Sequence, residues 1–199
     1  MTSPISRALQ TLEQSCAACS NCGLAEERQR AVVGRGNPEA RLMLIGEAPG
    51  AEEDASGLPF VGRSGQLLSG LIAEAGLDED DDLYICNVIK CRPPGNRKPT
   101  AQEMDQCRPW LEQQLTLINP PLVLLAGATA LQSLLGIRSG ISKRRGQWHD
   151  QDQRAFMPVF HPSYLLRFRS REPGSPQDLT LQDLKEARRR LYSERQSLR

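Results

Sequence analysis

Hydrophobic positions in this chain come in short runs broken by glycine, proline and polar residues, and the spacing changes from run to run. Ile5, Leu9 and Leu12 recur at helical spacing and predict an amphipathic helix over residues 3–15. Arg41-Leu42-Met43-Leu44-Ile45-Gly46 is instead a compact apolar run closed by glycine, the pattern of a buried strand. A loop bearing glycine and proline then leads to a predicted helix near Ser64 to Ala75, ended by Gly76. Leu83 to Ile89 reads as a second strand, and Pro93-Pro94-Gly95-Asn96 breaks the chain after it. Thr100, with Glu103 three residues on, has the capping-box pattern for a helix reaching about Ile118. Pro120-Pro121 stops that helix, and Leu122 to Ala126 is the third predicted strand. Ala128 to Leu135 is expected to be helical, Phe156 to Phe160 a fourth strand, and residues 178–193 a last helix.

Strands alternating with helices predict an α/β fold, with a mostly parallel sheet covered by helices on both faces. No repeat or linker interrupts the pattern, so residues 1–199 are expected to form one domain. Ligand sites of such sheets lie beyond the carboxyl ends of the strands. Gly46-Glu47 follows the first predicted strand, Asn87 lies at the end of the second, and His161 follows the fourth.

Charge changes this picture little, because 25 basic residues nearly balance 24 acidic ones. Acid is concentrated at Asp78 to Asp82. Base is concentrated at Lys143-Arg144-Arg145, at Arg167 to Arg171 and at Arg188 to Arg190, which leaves room for a basic face. The opening MTSPISRALQ has no apolar segment of the kind a secretory leader carries, and no apolar run approaches the roughly twenty residues that span a bilayer. The expectation is a cytoplasmic protein without a membrane partner. In a reducing compartment its six cysteines are expected to be ligands, reactive thiols or core residues in place of disulfides. Cys16, Cys19 and Cys22 form CxxCxxC, and fifteen residues lie between Cys91 and Cys107. A zinc ribbon would repeat CxxC in its second half, so the wide second pair favours an iron–sulfur cluster. Spacing leaves open which of the first three cysteines bind; Cys86, inside a strand, reads as a small core residue.

The loop GEAPGAEEDASGLPFVGRSGQLL carries the most chemistry. Its glycines let the backbone approach a planar ligand closely. Glu47, Glu52, Glu53 and Asp54 make a phosphate cradle unfavourable, and neither GxxxxGK[ST] nor GxGxxG is present. Phe60 is a candidate stacking face for a base. GEAPG, PFVGRSG, NVIKCRPPGNRKP and HPSYLLR occur in that order, and together they resemble the family 4, iron–sulfur type uracil-DNA glycosylases over roughly residues 16–190.

The resemblance implies a three-layer αβα sandwich with a central four-stranded parallel sheet. It implies a monofunctional glycosylase of base excision repair that acts on uracil in single- or double-stranded DNA and leaves an abasic site; on the reading that no lysine sits in the matched motifs, a Schiff-base step is not expected. Removing uracil requires extruding the nucleotide, stabilising the departing anion and presenting water to the sugar. Mapped onto this chain, Gly46, Glu47, Ala48, Glu53, Phe60, Asn87 and His161 line the uracil site. Asn87 pairs with uracil O4 and N3–H, whereas cytosine presents the opposite pattern. His161 donates to O2 of the leaving base. Glu47 activates water or steadies the sugar cation. Glu53 lines the place where a thymine methyl would fall. Ser163, Leu165, Leu166 and Arg167 form a loop that enters the duplex, either leucine serving as the wedge and Arg167 meeting a phosphate. Lys143, Arg144 and Arg145 are candidates for further backbone contacts. Cys19, Cys22, Cys91 and Cys107 match the ligands of a 4Fe-4S cluster, while Cys16 departs from the family pattern as an extra thiol that could substitute as a ligand or oxidise. A monomer is expected, and a replication clamp is a conceivable partner. The competing readings are a non-catalytic iron–sulfur module that binds nucleic acid and, with less support from KCRPPGNRKP, a relative that holds uracil-DNA without turnover.

Overall fold

A computed structural model describes residues 3–138, 140–168 and 170–197. Its sheet has six strands in the order β1-β3-β2-β4-β6-β5. The parallel centre consists of β2 (Leu42–Gly46), β3 (Leu83–Asn87), β4 (Leu122–Ala126) and β6 (Arg154–Val159). Two short edge strands run antiparallel to it: β1 (Arg35–Gly36) on β3 and β5 (His149–Gln151) on β6. The four expected strands are therefore present and parallel at the centre of the sheet, and the two edge strands extend it to six among the described residues. Neither edge strand spans enough residues to register as a hydrophobic period.

Alternation along each central strand builds two cores. Leu42, Leu44, Leu83, Ile85, Leu122, Leu124 and Met157 point to one face. Leu68 and Leu71 of α4 (Arg63–Glu74), Leu165 of α8 (Pro162–Leu165) and Leu184 of α9 (Pro176–Ser197) cover that face. Met43, Ile45, Tyr84, Cys86, Val123, Leu125 and Phe156 point to the other, under Leu9 of α1 (Pro4–Ala17), Leu111 of α5 (Ala101–Ile118) and Leu131 of α6 (Ala128–Leu135). Burial on both faces explains why these strands read as unbroken apolar runs. The helices α2 (Leu24–Glu27), α3 (Ala51–Ser56) and α7 (Ile141–Arg144) are short pieces within connections. Among the described residues, no helix is long and apolar enough to cross a membrane.

Thr100 caps α5 as its spacing predicts. Its hydroxyl accepts from Glu103 N at 3.2 Å, and Glu103 accepts from Thr100 N at 2.7 Å. Arg97 grips the same carboxylate and, with the Thr100 amide, holds its pKa down at about 2. The α5 cap and the loop of residues 93–98 before it are thereby fastened together.

Several basic residues turn out to serve the fold. Arg145 pairs with buried Asp183 and donates to Leu179 O at 2.9 Å, so it is withdrawn as a DNA contact. Arg188 donates to Gly76 O and lies over the Tyr192 ring, while Arg189 pairs with Glu186 and Arg190 with Asp150. Arg171 pairs with Glu74. Lys143, Arg144 and Arg167 are exposed, and Arg169 of the expected basic run lies outside the described residues.

Candidate active site

Chain order places β3 on one side of β2 and β4 on the other, so connections diverge at the carboxyl end of β2. A crevice opens at such a reversal point. The register pairs Gly46 with Asn87 there, Gly127 follows directly on β4, and His161 lies two residues past the end of β6. A cavity of about 250 Å³ fills the crevice, lined in part by Glu47, Ala48, Phe60, Asn87 and His161. That is slightly below the range of about 300–1,000 Å³ usual for small-molecule sites, and suits a single base.

Gly46 is glycine for want of room. A Cβ there would lie 2.4 Å from Phe60 Cζ and 2.5 Å from Asn87 Oδ1. Phe60 reaches this position with φ of 56°, a left-handed conformation unusual for an aromatic residue. Gly65 permits it, since a Cβ at residue 65 would lie 2.1 Å from the Phe60 carbonyl oxygen. Gly46→Ala should therefore lower activity by about 10²-fold by displacing ring and amide together, with little change in secondary structure. Steady-state rates beside far-UV circular dichroism check this.

Glu53 holds the loop in place. Its carboxylate accepts from Gly50 N at 3.0 Å, Val61 N at 3.1 Å and Gly62 N at 2.9 Å. It borders the cavity, and these three amides occupy its carboxylate.

Asn87 is 2% exposed, and its Oδ1 has no hydrogen-bond partner among the described residues. Leaving a buried carbonyl oxygen unsatisfied costs about 1–3 kcal/mol, which a ligand donor would recover. Its backbone is held from below by Lys90, which is fully buried. The Lys90 ammonium donates to Asn87 O at 2.6 Å and Gln114 Oε1 at 2.6 Å, and Gln114 Nε2 donates on to Val33 O at 2.8 Å and Tyr84 Oη at 3.1 Å. Lys90→Met keeps the bulk but strands both acceptors, and should destabilise the fold by about 2–4 kcal/mol in urea unfolding. The expectation that the matched motifs hold no lysine is corrected: Lys90 and Lys98 both lie inside NVIKCRPPGNRKP. Lys90 is sealed off from the cavity by its two bonds, whereas Lys98 lines a neighbouring cavity.

His161 sits opposite Phe60, with ring centroids 6.2 Å apart. Its Nδ1 accepts from Ser163 N at 3.2 Å and lies 2.8 Å from Ser163 Oγ. A nitrogen that accepts from an amide carries no proton, so the neutral ring bears its proton on Nε2. Burial lowers the His161 pKa, against the opposing pull of Glu47 and Glu53, and favours this neutral form. Glu47 accepts a hydrogen bond from the Thr129 hydroxyl. Thr129 has no distinguishing signal in the sequence and is brought to the site only by the fold.

The neighbouring cavity, about 350 Å³, shares Glu47, His161 and Ser163 with the first and is bordered by Lys98, Tyr164 and Arg167. The rings of Phe160, Tyr164 and Phe168 form a ladder beside it, with centroids 5.1 and 4.7 Å apart. Leu165 faces away and is fully buried in the core, whereas Leu166 is 37% exposed. Of the two candidate wedges only Leu166 can reach a ligand, because one turn of α8 turns Leu165 inward.

A separate cavity between α1 and α5 is bordered by Cys16, Cys19, Cys22, Cys91 and Cys107. Arg28 Nη1 donates to Cys91 Sγ at 3.3 Å and Lys90 N to Cys107 Sγ at 3.3 Å. Trp110 also borders the cavity, and its buried Nε1 has no partner among the described residues. Burial pushes the Cys16 thiol up to about 12 and that of Cys107 up to about 11, each partly offset by Lys90. Among the described residues, no three or more His, Cys, Asp or Glu side chains are set to hold a single metal ion. Cys86, as expected, is a fully buried core residue.

A family model described as the Uracil DNA glycosylase superfamily matches residues 33–185. A type-4 uracil-DNA glycosylase of Thermotoga maritima is 42% identical over 182 residues, covering 90% of this chain and 93% of the relative. One from Pyrobaculum aerophilum is 42% identical over 168 residues, covering 80% and 85%. A type-5 uracil-DNA glycosylase of Thermus thermophilus is 42% identical over 120 residues, covering 53% and 54%. The matched span runs from just before β1 into α9 and takes in every element that lines the crevice; the chain belongs to the uracil DNA glycosylase superfamily, among its type-4 uracil-DNA glycosylases.

Proposed function

We propose that this chain hydrolyses the bond between uracil and deoxyribose in DNA and leaves an abasic site. The observation that carries the reading is the orphaned, buried Asn87 Oδ1 at the cavity floor, an acceptor awaiting a donor. Uracil N3–H is such a donor, and the Asn87 Nδ2 then donates to O4. Cytosine offers an acceptor at N3 and a donor at C4, so both contacts become mismatched. An extruded uracil lies against the Phe60 ring, and Ala48 borders the same space.

As the bond from N1 to the sugar lengthens, negative charge moves onto the base and positive charge onto the sugar. The Nε2–H of His161, directed by the Ser163 amide at Nδ1, meets the charge developing on O2. Glu47, steadied by Thr129, faces the sugar side. There its carboxylate offsets the oxocarbenium charge and orients the attacking water. Lys90 has no free access, so no Schiff base forms on it. Lys98 and Arg167 flank the second cavity as phosphate contacts, Ser163 lines it, and Leu166 fills the space that the extruded nucleotide vacates.

The cysteine cavity is proposed as the site of a 4Fe-4S cluster on Cys19, Cys22, Cys91 and Cys107. Four thiolates on one zinc lie about 3.8 Å apart, as bonds of about 2.3 Å in a tetrahedron require. A four-iron cube takes one thiolate at each iron instead, and five cysteines border this cavity. The surroundings fit an anionic cluster. Arg28 and Lys90 bring positive charge, and the unpartnered Trp110 N–H is a ready donor to sulfur. A cluster there would fasten the segment after α1, the turn at Cys91 and α5 together; the hydrolysis itself transfers no electrons.

The test is incubation with single- and double-stranded oligonucleotides carrying one uracil, followed by alkali. Strand cleavage at the uracil and nowhere else is expected. Intact strands after treatment with iron-loaded, folded protein would refute the activity.

A further inference from the structure

The cysteine cavity holds five thiols, one more than a four-iron cube can bind. We propose that Cys16 is a reserve ligand of this site, able to take over the iron of Cys19 when that bond is lost. The inference rests on the cluster reading above.

Burial separates the thiols. Cys16 is 1% exposed and Cys91 and Cys107 are buried, whereas Cys19 and Cys22 are half-exposed. Cys19 is thus open to solvent and to oxidants, which attack exposed thiolates first. Cys16 and Cys19 belong to one tight turn at the end of α1, where Cys19 N donates to Cys16 O at 3.1 Å. Arg28 anchors this turn, donating to Ala17 O at 2.7 Å and to Cys91 Sγ at 3.3 Å, and so ties the end of α1 to the opposite wall of the cavity. Moving one iron–sulfur bond from Cys19 to Cys16 is therefore a change within one turn and needs no rearrangement of secondary structure. The exchange balances: the bond to Cys19 breaks and one to Cys16 forms. Where Cys19 leaves as a thiolate it takes the Cys16 thiol proton and no electron moves; where oxygen has oxidised Cys19, the electrons go from Cys19 to oxygen and the Cys16 proton passes to solvent. Cys16 also packs with Leu12 and Val33 in a small apolar group, which by itself would make it only a core residue.

Iron content of purified, anaerobically reconstituted protein separates these roles. Cys19→Ala is used because a serine oxygen could itself bind iron. Cys19→Ala is expected to keep close to the wild-type iron and acid-labile sulfide, with wild-type absorption. Cys16→Ala keeps them too, while the double variant loses essentially all, as Cys91→Ala does. Far-UV circular dichroism on each variant identifies any that fails to fold, and chelator-driven iron release gives a second measure. In air, Cys16→Ala should lose its cluster several-fold faster than wild type. Iron loss from Cys19→Ala as complete as from Cys91→Ala, or equal release rates for Cys16→Ala and wild type, would overturn the proposal. A wild-type protein that binds no iron would overturn the cluster reading and this inference with it.

Discussion

Replacing Asn87 with alanine is expected to slow uracil excision by about 10²–10⁴-fold, because two directed hydrogen bonds to the base disappear at about 1–3 kcal/mol each. The side chain is 2% exposed and its Oδ1 is unpartnered, so little of the fold depends on it. Its backbone carbonyl remains held by Lys90 in the variant. Asn87→Asp sharpens the point. A carboxylate cannot donate to O4 and would repel it, so uracil excision should fall at least as far as with alanine. Two acceptor oxygens do, however, suit the amino group of cytosine. Single-turnover rates on matched oligonucleotides measure both effects, with circular dichroism to confirm folding. A loss of less than about tenfold for Asn87→Ala would remove this residue from base recognition.

His161→Ala is expected to cost about 10²–10³-fold in kcat with a small change in KM, as removal of a single donor to a developing oxyanion does. The geometry behind this is local. Pro162 and Ser163 start α8, and the Ser163 amide meets Nδ1, which leaves Nε2–H as the donor. The same residue makes stability depend on pH. Burial lowers its folded pKa beneath the ordinary value of 6.5. Between that lowered value and 6.5 the unfolded chain binds a proton that the folded chain does not. Stability therefore falls as pH falls through this window, and the neutral ring persists above it. Urea unfolding between pH 5 and pH 7 should show this slope in the wild-type protein and a shallower one in His161→Ala. Identical slopes would mean that the imidazole is not buried in its neutral form.

Much of this site is visible in the sequence because strand ends and glycine loops leave strong local marks. Gly46, Asn87 and His161 each follow an apolar run, and the register of β2 and β3 sets the first two side by side as the alternation implies. The Thr100 cap was equally legible, since a capping box is defined by four consecutive residues. What escaped depends on contacts between distant segments. Thr129 meets Glu47 across 82 positions, and Gln114 reaches Val33 across 81. Lys90 is the clearest case: nothing in the sequence marks it as buried, yet it is fully buried, with two carbonyls receiving its ammonium. Glu53 lines the cavity, but only the folded loop reveals the three amides that its carboxylate accepts from. Leu165 and Leu166 are indistinguishable as letters, and the single turn of α8 buries one and exposes the other.

A crystal structure of the protein soaked with free uracil tests the account most directly. The expected result is the base lying against Phe60, N3–H and O4 on the Asn87 amide, and O2 within hydrogen-bonding distance of His161 Nε2. Uracil bound elsewhere, or bound here with a different edge against Asn87, would contradict it.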